Sequence, residues 1–280
     1  MAVVSGLSHV LASPHPDFAP IPEDPGVLRG IPYRDTPGGR PLELDLWRPE
    51  GTDPLPLLVF VHGGGWRRGR RDDMGLRMRE WTPGPFARLA AAGFAVASVD
   101  YRLSGEAVFP AALDDVRAAV RWLSLRAREL RIDPDRLVVW GESAGGHLAS
   151  LLALTEPAVR GAVIWYGPSD LQTPREGFDP AAPHTPEALL LGAAPAAVPG
   201  LAREASPIDH VHEDAPPFLL MHGLRDSMVP YGHSEDLAAA LPRAELRLVP
   251  DADHVWYGLP DEQVAQIFLD SLDFALSHAG

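Results

Sequence analysis

The chain of 280 residues contains no cysteine. Disulfides, thiolate nucleophiles and iron–sulfur clusters are therefore excluded. It contains no lysine either: all 24 of its basic residues are arginine. That rules out a Walker A lysine, a pyridoxal Schiff base and a Ser–Lys dyad. Asparagine is also missing, so there is no N-glycosylation acceptor. No apolar run approaches the roughly eighteen residues of a membrane-spanning helix. The opening stretch, MAVVSGLSHVLASPHPDF, lacks a basic start and has a broken apolar run, unlike a secretory leader. Together these absences predict a cytoplasmic, soluble protein whose chemistry rests on Ser, Thr, His, Asp, Glu, Tyr and backbone groups.

What is present is ordinary in bulk, with 46% hydrophobic and 22% charged residues. The length suits one large α/β domain with a single core. A net charge of −14 argues against nucleic acid or an anionic membrane as partner, since both need clustered cations. Residues 13–26 are rich in proline, so residues 1–26 are read as an extended arm. Beyond it, short apolar runs alternate with helical patterns. LELDLW (42–47) alternates like an antiparallel strand, whereas LLVFV (57–61), AVASV (95–99) and LVVW (137–140) are continuously apolar, as parallel strands covered on both faces should be. The clearest helix spans 110–130, with acids in its first turn and arginines toward its end. Counting 27–33, 162–166, 218–221 and 245–249 as well, the alternation predicts one domain over 27–280. Its core is a mostly parallel, eight-stranded sheet with helices on both faces. Residues 168–216 break the pattern and are read as an excursion, or small lid, over the sheet's carboxyl edge.

Two glycine-rich stretches carry the chemistry. Gly141-Glu142-Ser143-Ala144-Gly145 is a G-x-S-x-G lying directly after a strand and before a helix. In that context the serine sits on a sharp turn with its hydroxyl above the sheet. His62-Gly63-Gly64-Gly65-Trp66 follows the run 57–61. Acyl transfer builds negative charge on a carbonyl oxygen and needs fixed N–H donors aimed at it. Ala144 supplies one, and bare glycine backbone at Gly64 and Gly65 supplies the others, with Gly63 forming the turn. Trp66 is expected to wall the substrate pocket, with core packing as the alternative, and Glu142 to line that pocket.

A serine nucleophile needs a base and an orienting acid, drawn in chain order from later strand ends. Asp226 follows strand 218–221 by a short loop, and His254 follows strand 245–249 in the same way. The other histidines lie in the arm, the excursion, the tail, or in capping, helical and strand-end positions. Asp251 and Asp253 stand so close to His254 that they shape its loop.

HGGGW, DYRL (100–103), GESAGGHLA and HGLRDSMVP together resemble the hormone-sensitive-lipase branch of the α/β-hydrolases, particularly small bacterial carboxylesterases. The resemblance covers residues 27–277. It departs from the commoner pattern in having Glu142 where the branch has aspartate, and in lacking room for a large N-terminal cap. It implies an α/β-hydrolase fold and a serine carboxylesterase acting on short-chain esters through Ser143, His254 and Asp226. No metal or cofactor is required by that chemistry, and the partner is a small-molecule ester. The alternative from the same machinery is an arylformamidase resembling kynurenine formamidase. The sequence leaves the oligomeric state open, a homodimer included.

Overall fold

β3 (Leu55–Val61) lies at the centre of the sheet, and its side chains divide the core in two. Leu57, Val59 and Val61 point to one face, Leu58 and Phe60 to the other, and all five are fully buried. This is the period of two expected of a strand covered on both sides. The computed structural model of the protein describes residues 26–51 and 53–280. Apart from Gly26, the arm expected over 1–26 lies outside them.

Seven further strands join β3: β1 (Val27–Arg34), β2 (Leu42–Trp47), β4 (Ala95–Val99), β5 (Ile132–Glu142), β6 (Val159–Trp165), β7 (Phe218–Gly223) and β8 (Ala244–Val249). They run in the order β1-β2-β4-β3-β5-β6-β7-β8. β1, β2 and β4 pair antiparallel, and every pairing from β4 to β8 is parallel. The loops leaving β3, β5, β6, β7 and β8 consequently emerge along one edge. β8 is only half covered, with Glu245 and Arg247 on its accessible positions, charges that discourage further strand pairing at an edge.

Eight helices cover the sheet among the described residues: α1 (Pro85–Ala91), α2 (Ala111–Leu125), α3 (Ala127–Leu130), α4 (Ala144–Thr155), α5 (Pro186–Leu191), α6 (Pro199–Glu204), α7 (Gly232–Ala240) and α8 (Asp261–His278). α2, α4 and α7 pack on the Leu57 face, and α1 and α8 on the Phe60 face. None is long and apolar enough to cross a membrane. The single helix expected over 110–130 is broken at Arg126. That residue is turned inward, its guanidinium over the Trp122 ring and paired with Glu129. The excursion over 168–216 carries α5 and α6, and its Leu171, Leu190, Ala202, Ala205 and Ala215 are buried in the core of the Leu57 face. Its Pro186 reaches the glycine loop, where a Cβ on Gly65 would stand 3.5 Å from the proline ring.

Candidate active site

Ser143 joins β5 to α4 with φ 51° and ψ −123°, a conformation that costs a non-glycine residue free energy and persists only where its surroundings impose it. The surroundings here are backbone. A Cβ on Gly145 would overlap the carbonyl oxygens of Val61 and His62, and one on Gly63 would crowd Ser143 Cβ and the Glu142 carbonyl oxygen. The two glycine-rich stretches therefore pack main chain against main chain. The first turn of α4 rests on the end of β3, where the glycine loop begins.

The structure brings Ser143, His254 and Asp226 together. His254 Nδ1 lies 2.7 Å from Asp226 Oδ2 and its Nε2 lies 3.0 Å from Ser143 Oγ. An ionised carboxylate only accepts, so Nδ1 carries the ring proton and Nε2 is left to accept from the serine hydroxyl. Asp226 Oδ1 accepts from the N–H groups of Met228 at 2.9 Å and Val229 at 2.7 Å. Burial alone would push this carboxyl up. Hydrogen bonds from His222 and His254, with the Val229 N–H, outweigh it and hold the group well below the usual carboxylate range. Asp253 ties the two loops together, accepting from the N–H and Oγ of Ser227 and from the His254 N–H. Asp251, at φ 62°, pairs with Arg225.

The glycine loop is anchored at its base. The His62 ring is buried, donates from Nδ1 to Gly63 O at 2.8 Å and stacks on Tyr101, whose hydroxyl donates to His62 O at 3.0 Å. Gly63 lies against the Glu142 carboxyl, where a Cβ on it would stand 3.2 Å from Oε1. Gly64 takes φ +116°, and a Cβ there would overlap the Arg68 carbonyl. Among the described residues the N–H groups of Gly64, Gly65 and Ala144 have no protein acceptor, and that of Ala144 is one of the free donors of a helix start.

Trp66 and Glu142 are both buried, which for Trp66 is the core-packing alternative. Trp66 is 1% exposed. Its indole N–H points inward to His147 Nδ1 at 3.2 Å, while His147 Nε2 donates to Ala205 O at 2.6 Å. An indole donor in a core needs an acceptor, and His147 supplies it, so the ring is a floor under the loop and not a wall of the opening. Glu142 is buried as well. Burial pushes its carboxyl up, and the Tyr166 hydroxyl, 2.8 Å from Oε2, partly offsets this.

Three further residues serve the site without having been candidates for it. Tyr166, at the end of β6, packs its ring 4.7 Å from that of His254 while its hydroxyl holds Glu142. Tyr101, in the DYRL stretch, braces the glycine loop through His62. His222, one of the strand-end histidines, is a fully buried member of β7 lying 3.3 Å from Asp226 Oδ2. As a whole the arrangement can activate a hydroxyl and receive an oxyanion.

Residues 44–241 match the BD-FAE family. Esterase LipQ of Mycobacterium tuberculosis is 32% identical over 276 residues, an alignment covering 90% of this chain and 62% of LipQ. The chain spans 52% of a second curated relative, esterase LipC of the same organism. A truncated carbohydrate esterase from gut microbiota superimposes with a TM-score of 0.78 at 26% identity, over 92% of this chain and 97% of that one. Est2, a thermophilic esterase of Thermogutta terrifontis, does so with a TM-score of 0.70 at 25% identity, over 92% and 94%.

Proposed function

The chain belongs to the BD-FAE family, with an α/β-hydrolase fold, and from that premise we propose that it is a serine carboxylesterase hydrolysing esters of short carboxylic acids through an acyl-enzyme. One observation carries the proposal: the unbroken hydrogen-bond chain Ser143–His254–Asp226, beside a glycine loop and helix start whose Gly64, Gly65 and Ala144 N–H groups have no acceptor among the described residues. His254 Nε2 takes the hydroxyl proton as Ser143 Oγ attacks the ester carbonyl. Asp226 keeps the imidazole in the tautomer that leaves Nε2 free, and stabilises the imidazolium that forms. The N–H groups of Gly64, Gly65 and Ala144 receive the oxyanion, each worth a few kcal/mol in the transition state. His254 returns its proton to the leaving alcohol. Water then repeats the sequence on the acyl-enzyme, releasing the acid and restoring Ser143.

The relatives bearing the name esterase support ester rather than amide hydrolysis. The short-acyl preference rests on the sequence, which offers no long apolar channel. The test is fluorophosphonate labelling together with a p-nitrophenyl ester series. Wild-type protein labels at Ser143 and turns over acetyl and butyryl esters faster than palmitoyl, and Ser143→Ala does neither. An N-formylkynurenine rate above the ester rates would overturn the ester reading, and unlabelled wild-type protein would overturn the acyl-enzyme.

A further inference from the structure

His222 is fully buried and hydrogen-bonded on both edges of its ring. Nδ1 lies 2.8 Å from Ser234 Oγ on α7, and Nε2 lies 2.9 Å from the carbonyl oxygen of Val229. A carbonyl can only accept, so Nε2 carries the proton, and Nδ1 accepts from the serine hydroxyl. The ring is thereby fixed in one tautomer and one orientation. The same Nε2 stands 3.3 Å from Asp226 Oδ2, the oxygen that also receives His254 Nδ1, so its one proton is shared between the nearer Val229 carbonyl and this carboxylate oxygen. Two imidazoles thus converge on one carboxylate oxygen, one from the strand behind it and one from the reacting side.

The other oxygen of Asp226 is held by two backbone N–H groups of its own turn. Those bonds fix the turn and set the carboxylate plane, since both oxygens rotate together about the Cβ–Cγ bond, but they put no donor on Oδ2. Among the described residues the other donor on Oδ2 is His254 itself, whose charge changes during the reaction. A separate, tautomer-locked donor would keep that oxygen in line while His254 moves its proton. We propose that His222 is a positioning residue of the acyl-transfer machinery, holding Asp226 Oδ2 on the axis of His254 Nδ1 through its Nε2–H. The inference rests on the acyl-enzyme reading above.

Removing the Nε2–H leaves more of the Asp226 charge directed at His254, which favours the imidazolium and moves the acid limb of the kcat/KM profile to higher pH. The other titratable groups facing this cluster are Glu142 on β5, Tyr166 after β6, Asp253 in the β8 loop and His233 on α7. All of them remain in the variants. Side-chain length separates the roles: the amide nitrogen of Gln reaches the Nε2 position, and that of Asn reaches only the Nδ1 position.

The experiment measures kcat and KM for p-nitrophenyl acetate against pH in the full chain, with fluorophosphonate labelling and Tm alongside. Relative to wild type, His222→Asn loses about tenfold or more in kcat with KM little changed, and its acid limb shifts upward. His222→Gln recovers to within about threefold, on the same reasoning. Ser234→Ala, which releases the tautomer lock while leaving the imidazole in the core, shifts the limb in the same direction by less. Equal losses in the Asn and Gln variants with an unmoved pH profile would mean packing alone and overturn the inference. So would an unchanged profile in Ser234→Ala, should the His222 variants not fold. Wild-type protein that neither labels nor turns over ester overturns the acyl-enzyme reading itself. An unmoved pH profile in variants that still label at Ser143 overturns only the role of His222.

Discussion

The hydroxyl of Tyr166 donates to the carboxylate of Glu142 at 2.8 Å, and both side chains are buried. The same tyrosine ring lies against His254, and Glu142 in turn lies against Gly63. One buried contact thus connects the floor beneath the imidazole to the glycine loop.

Tyr166→Phe keeps the ring under His254 and removes only the donor. Burial already pushes the Glu142 carboxyl up, and losing the hydroxyl pushes it further. The expected loss is about 1–3 kcal/mol in urea unfolding, the penalty for a buried polar group stripped of its partner. Glu142→Gln combined with Tyr166→Phe should cost less than the two single changes added together, because the two groups act as a pair. Strict additivity would separate them.

Gly145→Ala tests the backbone contact between the two glycine stretches. The added Cβ meets the carbonyl oxygens of Val61 and His62, which belong to the central strand and its exit and cannot turn aside as a side chain would. Overpacking of this kind costs about 1–3 kcal/mol or more. The thermal midpoint should fall, and Ser143 labelling should slow even well below that midpoint. A variant with wild-type midpoint and labelling rate would show that the elbow does not rest on β3.

Asp226→Asn tests the tautomer argument. The amide cannot replace both acceptor oxygens, so His254 loses the partner that keeps its proton on Nδ1. By analogy with other serine triads kcat should fall about ten-thousandfold while substrate binding changes little. A loss below about tenfold would assign the acid to another residue.

Stability should fall as the solution is acidified from neutral pH. Burial pushes His147 down to about 4 and His233 down to about 3, while the same groups in the unfolded chain titrate near pH 6.5. Between these values the unfolded chain binds more protons than the native one. The native state is therefore favoured in full above about pH 6.5 and progressively less toward pH 4 and then 3. His147 alone accounts for a change on the order of 3 kcal/mol over that range. Urea midpoints measured from pH 7.5 to pH 4.5 should decline, and the decline should be shallower in His147→Gln. Flat midpoints would contradict neutral burial of the ring.

The strand positions, the serine turn and the glycine loop were legible in the sequence because each is local chemistry. A continuously apolar run marks a strand covered on both faces, and glycine beside a serine or after a strand marks backbone that must approach something closely. Asp226 and His254 could be read from their places just past strand ends. The roles of Tyr166, Tyr101 and His222 were not legible, because a side chain's partner depends on which strands are neighbours. The sheet order puts β6 between β5 and β7, and only that order brings Tyr166 under His254 and against Glu142. Trp66 shows the same limit from the other side. Its position beside the glycines left a wall and a core position both open; the acceptor for its indole N–H is His147, 81 residues away on α4, and that long-range bond holds the ring inward. The sequence by itself determined the residue chemistry and the local turns; only the packed structure, through the partners that buried polar groups must find, decided which way each side chain faces.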